Sequence, residues 1–286
     1  MENKYVIGLD YGTLSGRAVV ADCKNGMILA SAVKEYAHGV MSECLPDGTK
    51  LDGTGWALQD PADYIDVLKF IIPEAIKQSG VSKEDIIGIG LDFTSCTMLP
   101  VNECNVPLCL VEKNVSRPHA WVKLWKHHGA QEQADKINDL LQKRGEIDNI
   151  QLGGKISSEL LLPNILQIVE EDPYIYDEAA GFLEAADWLT QILTGSRKRS
   201  GNLAGYKAMW TPETGYPSKD FLIELSPKLE NLVDEKLGSD ITLAGQPVGY
   251  LTERWAKELG LCKGIPVATA IIDSHAGMPG SGVCKD

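Results

Sequence analysis

An α/β domain, with a mixed sheet flanked by helices, is the fold class that three features of the sequence predict. Residues 5–33 hold three apolar runs separated by turn residues, which reads as an antiparallel meander. An amphipathic stretch follows Gln59-Asp60-Pro61 and sets Tyr64, Val67, Leu68, Ile71 and Ile72 on one helical face. Behind it, the apolar run 86–91 reads as a short buried strand that returns the chain to the sheet.

Taken in order, the first strand runs through Val6, Ile7 and Leu9 and the second through residues 18–21, with Asp10-Tyr11-Gly12-Thr13 as the turn between them. The third strand spans 26–33. Residues 38–55, rich in Gly, Asp and Thr, read as a long loop, and loops of such length are usually functional or mobile. Asp60 is placed as N-cap and Pro61 in the first helical turn. The strand 86–91 ends in Asp92-Phe93-Thr94-Ser95-Cys96, polar residues at the strand end where an open α/β sheet places ligands. Segments 98–101 and 107–111 read as strands around a turn at 102–105. Residues 121–143 read as a helix, on which His127 and His128 point apart. Gly153-Gly154 breaks the chain, and a further helix runs from Ser157 to about Glu171. Residues 185–194 form a helix closed by Gly195, a short one starts at Ser218, and another runs from its cap Thr252 to Gly260. A buried strand over 265–272 then delivers Asp273. No repeat of 20–50 residues is present.

The 286 residues can bury a sizeable core, and 44% hydrophobic with 23% charged residues describe a globular protein. The net charge of −13 argues against a nucleic-acid-binding surface. Met1 leads directly into a strand without a leader pattern, and no apolar run approaches the ~20 residues that span a bilayer. The seven cysteines are odd in number and form no C-x-x-C pair, as in a cytoplasmic chain with reduced thiols. No H-E-x-x-H occurs, so metal binding by histidine is not expected. Gly153-Gly154-Lys155-Ile156 fails the P-loop pattern and no G-x-G-x-x-G exists, which disfavours P-loop and Rossmann enzymes.

The first turn carries the chemistry. Gly12 lets backbone approach an anion, while Thr13 and Ser15 offer hydroxyls and amides, together a phosphate-sized nest. Asp10 ends a buried strand with a carboxylate, a hard oxygen ligand suited to Mg²⁺ through waters. On spacing alone an ordinary β-hairpin fits equally well. Asp273 closes an apolar strand, placed either as general base for a hydroxyl or as cap of the next helix, and local sequence favours the cap. By themselves Trp125 reads as core and Lys207 as a solvated surface charge.

The pattern apolar-x-Asp10-x-Gly12-Thr13-x-Ser15-x-Arg17, followed by a second strand, resembles the phosphate hairpin of the actin-like ATPase superfamily. More narrowly, it resembles the FGGY family of carbohydrate kinases, and three strands, a helix and a return strand match the RNase H-like domains of that family. Ile271-Ile272-Asp273-Ser274-His275-Ala276-Gly277 resembles the family segment whose Asp takes the proton from the sugar. Leu45-Pro46-Asp47-Gly48-Thr49-Lys50, Gly154-Lys155-Ile156-Ser157 and Gly205-Tyr206-Lys207-Ala208-Met209-Trp210 resemble the L-ribulokinase branch. Leu14, the run 94–97 and His119-Ala120-Trp121 depart from the pattern.

The resemblance implies that Trp125, Lys207, Asp273 and the loop at Ser95-Cys96 line a ketopentose pocket. It implies ATP as phosphoryl donor, with Mg²⁺ near Asp10 and the Gly12–Thr13 turn, and with Ser15 and Arg17 beside the phosphates. The reaction implied is phosphorylation of L-ribulose to L-ribulose 5-phosphate. Residues 1–286 are then expected to be the sugar-binding N-terminal domain, with the nucleotide-binding domain beyond this chain and little turnover without it. Two further readings stand beside this one: another FGGY kinase, acting on xylulose or glycerol, and a non-catalytic sugar-binding module on the same fold. The partners expected are a small sugar and ATP, with neither nucleic acid nor membrane, and assembly into a homo-oligomer is compatible with all of these.

Overall fold

Strands β1 (Tyr5–Tyr11), β2 (Ser15–Asp22) and β3 (Ile28–Glu35) pair antiparallel in sequence and form the expected meander. The computed structural model describes residues 4–53, 55–146 and 154–283, so Gly153 and Cys284, singled out in the sequence, lie outside the described residues. After β4 (Leu58–Gln59) comes helix α1 (Pro61–Ser79). Asp60 caps it by accepting from the Ala62 N–H at 2.8 Å, and Gly80 ends it with a left-handed φ of 66°. Strand β5 (Ile86–Phe93) then returns parallel to β1, which completes the RNase H-like order.

Two elements differ from the sequence reading. Strand β6 (Met98–Val101) forms, but 107–111 is no strand: a single bridge joins Val101 to Pro107, and a 3-10 turn follows over Leu108–Leu110. Proline has no N–H for a ladder, and its carbonyl instead accepts from the Leu110 N–H at 3.0 Å. Residues 121–130 are not helical either. Val122–Lys123 is strand β7, paired with β4 and β6, and helix α2 starts only at Gln131 (Gln131–Arg144). The apolar spacing of Trp121, Leu124 and Trp125 imitates a helix, but Val122 and Lys123 are both buried inside a sheet.

Helices α3 (Leu161–Glu171) and α4 (Pro173–Glu178), strand β8 (Gly181–Glu184) and helix α5 (Ala185–Thr194) follow, α5 ending at Gly195 as expected. Then come β9 (Arg199–Ser200), α6 (Gly201–Lys207), α7 (Lys219–Leu225), β10 (Ile241–Thr242) and β11 (Pro247–Tyr250). Helix α8 (Glu253–Leu259) ends at Gly260, but Thr252 does not cap it, since its hydroxyl donates to the Leu193 carbonyl at 3.1 Å. The expected strand 265–272 is two short ones, β12 (Pro266–Ala268) and β13 (Ile271–Ile272), before helix α9 (Asp273–Gly280). The break between them arises because Thr269 turns both its N–H and its hydroxyl to the Gln246 carbonyl.

The larger sheet has seven strands in the order β11-β12-β5-β1-β2-β3, with β13 also on β5. A four-stranded antiparallel sheet, β4-β7-β6-β8, lies between two apolar cores. Leu99, Val122 and Leu183 face the core that α1 shares with the larger sheet, whereas Met98, Trp121 and Phe182 face the core built on α3. Among the described residues no helix is long and apolar enough to cross a membrane.

Helix α1 packs closely on β2 at Gly16, where an added Cβ would stand 2.6 Å from Val67 Cγ1. Gly16→Ala is expected to lower unfolding free energy by about 1–3 kcal/mol through overpacking, read as a reduced denaturant midpoint at unchanged slope. An unchanged midpoint would show that α1 can retreat at no cost.

Candidate active site

Parallel pairing brings three aspartates to one sheet edge. Asp10 of β1 stands opposite Asp92 of β5, and Ile271 of β13 also stands opposite Asp92, so Asp273 emerges beside both. The Asp92 carboxyl is pushed up to about 8, by burial first, then by the charge of Asp10 and a hydrogen bond with it, then by the charge of Asp273. Asp10 is nearly half exposed and faces Arg17, its cross-strand partner, with Nη1 and Oδ2 3.7 Å apart. Asp273 is half-buried and opens α9 while its Oδ1 accepts from the Ser274 N–H at 2.6 Å. It is thus both the strand-end carboxylate and the first residue of a helix.

The turn between β1 and β2 is held from several sides. The Gly12 N–H donates to the Ser15 carbonyl at 3.0 Å, and the Gly12 carbonyl accepts from the Tyr36 hydroxyl at 2.9 Å. Gln59 Nε2 donates to the Thr13 carbonyl at 2.8 Å. Among the described residues the amides of Thr13 and Leu14 reach no protein acceptor, so the amides left for an anion are these rather than that of Gly12. Trp125 sits on the turn after β7, 39% exposed, and its Nε1 donates to Thr13 Oγ1 at 3.1 Å. Residues 112 positions apart therefore meet at the hairpin.

On the other side of Asp92 lies the loop 94–97. Cys96 is buried with φ of 56°, a left-handed conformation that strains a residue carrying a Cβ. The loop keeps this shape through a 2.9 Å contact between the Thr94 and Thr97 hydroxyls and through β8 and α5. Glu184 Oε2 accepts from the Thr97 N–H at 3.1 Å and the Ala185 N–H donates to the Thr97 carbonyl at 2.6 Å. Lys207, at the end of α6, forms no ion pair among the described residues. Its charge nonetheless opposes burial at two neighbours. The Cys96 thiol is pushed up to about 12 by burial and the Glu184 charge, and the Glu184 carboxyl to about 8 by burial and the Asp187 charge. Asn202 pins α6 to the Asp273 segment: its Oδ1 accepts from the Ile272 N–H at 3.0 Å and its Nδ2 meets His275 Nδ1 at 2.9 Å.

The expected residues thus fall into two groups, Asp10, Gly12, Thr13, Ser15, Arg17 and Trp125 at the hairpin, and Ser95, Cys96, Lys207 and Asp273 beyond it. Asp92 joins them. The sequence reading gave no role to Asp92, Glu184 or Asn202. Polarity at the end of an apolar strand was a signal for Asp92, but its apposition to Asp10 is set by register between distant strands. Among the described residues no three His, Cys, Asp or Glu side chains are disposed to hold a metal ion. Two neighbouring carboxylates, Asp10 and Asp92, do fit a Mg²⁺ ion that keeps most of its water.

The chain belongs to the FGGY family of carbohydrate kinases: the model of that family's N-terminal domain matches residues 5–280. It is 51% identical over 272 residues to the ribulokinase of Bacillus licheniformis, covering 95% of this chain and 49% of that protein. To the ribulokinase of Halalkalibacterium halodurans it is 47% identical over 283 residues, covering 99% and 50%. The solved structure of a xylulose kinase from Rhodospirillum rubrum shares the fold, with a TM-score of 0.76 at 17% identity over 99% of this chain and 51% of that one. The chain spans about half the length of the curated relatives it matches. The fold is that of the sugar kinases of the actin-like ATPase superfamily.

Asp92 gives the site a pH signature. Its carboxyl holds a proton to higher pH when folded than when unfolded, so the folded chain carries the extra proton between about 4 and 8. Stability from this group is present below that window and lost as pH rises through it. Chemical denaturation of Asp92→Asn across the same range is expected to show a flatter pH dependence than the unsubstituted chain, and identical slopes would refute the coupling.

Proposed function

We propose that this chain is the sugar-binding half of a cytoplasmic, ATP-dependent kinase that phosphorylates ribulose, with L-ribulose giving L-ribulose 5-phosphate. The observation that carries the reading is the meeting, at one sheet edge, of Asp273 with Lys207 and the loop 94–97 on one side and the hairpin on the other. The relatives named above supply the substrate, and the free state of the six described cysteines supports the compartment.

In this reading Trp125 packs against the carbon face of the sugar, and Lys207 donates to its hydroxyls along with the Ser95–Cys96 backbone. Asp273 accepts the proton of the terminal hydroxyl as that oxygen bonds to the γ-phosphorus of ATP and the bond to the β-γ bridging oxygen breaks, releasing ADP. The Thr13 and Leu14 amides and Arg17 face the transferring phosphoryl group. Mg²⁺, held through water by Asp10 and Asp92, would offset negative charge there. The second domain expected from the sequence would supply the adenine site and close the cleft against water.

The test is an ADP-release assay of this chain, alone and together with the other half of a curated relative, on ribulose, xylulose, arabinose and glycerol. Turnover is expected with both halves present and fastest on ribulose. Asp273→Asn is expected to cut kcat by about 10²–10⁴-fold, and Lys207→Met to act mainly on KM. Full turnover in Asp273→Asn would remove the base assignment, preference for xylulose or glycerol would change the substrate, and binding without turnover would leave a sugar-binding module.

A further inference from the structure

The turn that presents Trp125 is anchored by a buried polar cluster for which the reaction has no evident need. Lys123, the last residue of β7, has a fully buried side chain. Its Nζ donates to Gln167 Oε1 and lies 3.4 Å from His127 Nε2. His127 is equally buried, and its Nε2 stands 3.1 Å from the same Gln167 oxygen. One amide oxygen on α3 therefore ties both ends of segment 123–127, and Trp125 is midway along it. Gln167 is itself oriented, because its Nε2 donates to both Glu171 carboxylate oxygens at 3.2 Å.

Backbone bonds shape the rest of the turn. The Leu124 N–H donates to the Ala57 carbonyl at 2.9 Å, the His127 N–H to the Leu124 carbonyl at 2.7 Å and the His128 N–H to the Gly55 carbonyl at 2.8 Å. Trp56 closes the cluster, its ring 5.0 Å from that of His127 and 5.4 Å from the Lys123 ammonium. Filling the space does not call for lysine here, since methionine has a similar volume and no amine to desolvate. Burial pushes the Lys123 amine down to about 7, and burial with the Lys123 charge pushes the His127 imidazole down to about 2. A buried polar group kept at such a cost serves best where its hydrogen bonds select one geometry.

We propose that Gln167, through Lys123 and His127, is a positioning clamp that sets Trp125 against the hairpin and thereby sets affinity for the carbon face of the sugar. The link to sugar rests on the functional reading above, whereas the placing of Trp125 does not.

The two parts are separable by experiment. Chain labelled with 5-fluorotryptophan gives a ¹⁹F resonance for each tryptophan, and Trp125→Phe identifies the one from Trp125. In Gln167→Leu and in Lys123→Met that resonance is expected to shift or split while those of Trp188, Trp210 and Trp255 stay, which also reports an intact fold. Gln167→Glu combined with Glu171→Gln keeps an acceptor oxygen for Lys123 and His127 and an amide donor between positions 167 and 171, and is expected to restore the original position. Ribulose, titrated with the relative's other half present, is expected to bind about ten- to a hundredfold more weakly to the Leu and Met variants and normally to the double variant. An unmoved Trp125 resonance in both variants overturns the clamp whatever the sugar does. A moved resonance with unchanged affinity overturns its link to binding, and no ribulose binding by the unsubstituted protein overturns the functional reading alone.

Discussion

Parallel pairing of β1 with β5 holds two carboxyls, Asp10 and Asp92, opposite one another at a half-buried sheet edge, where Asp92 keeps its proton. What holds them there is the next residue of each strand, which points to the other face of the sheet. Tyr11 and Phe93 stack at 5.1 Å with their rings 7° from parallel, and Tyr64 of α1 stands edge-on to both, at 6.0 and 5.1 Å. The Tyr11 hydroxyl donates to the Tyr64 carbonyl at 3.0 Å. Each aromatic pair contributes about 0.5–1.5 kcal/mol beyond the area it buries, and together they fix the two strand ends that carry these carboxyls.

From that pairing the rest of the site follows. Strand β5 carries β1 on one flank and β12 and β13 on the other, so the hairpin, the loop 94–97 and Asp273 all take their positions from it. The loop leaves β5 directly and passes through the left-handed Cys96, a conformation that costs a non-glycine residue about 1–3 kcal/mol. Bonds from Thr97 to Glu184 and Ala185 hold it in that shape, so the second sheet steadies what the first one presents.

Local chemistry made much of this legible. Asp60 and Pro61 announced the start of α1, Gly195 and Gly260 the ends of α5 and α8, and alternating apolar runs the meander. What failed was whatever tertiary pairing decides. Trp121, Leu124 and Trp125 have helical spacing, but their neighbours Val122 and Lys123 take hydrogen bonds from strands far away in sequence. Pro107 follows a plausible strand pattern without the N–H to continue it. The place of Asp10 as a strand-end carboxylate is readable, whereas its apposition to Asp92 is a matter of register, and Asp92 goes without a part for that reason. Trp125 enters only through a resemblance; the structure sets it against Thr13 of the hairpin, on a turn after β7 where the apolar spacing suggests a helix.

The four-stranded sheet has a core on each side, and Met98–Val101 and Gly181–Glu184 are buried at every position. Such a sheet has no solvent face, which is why Met98-Leu99-Pro100-Val101 shows no polar alternation. It is also a wall common to two apolar interiors. Neither interior can lose that wall without stripping the other, so the wall couples the two halves of the chain, and one unfolding transition is expected of both.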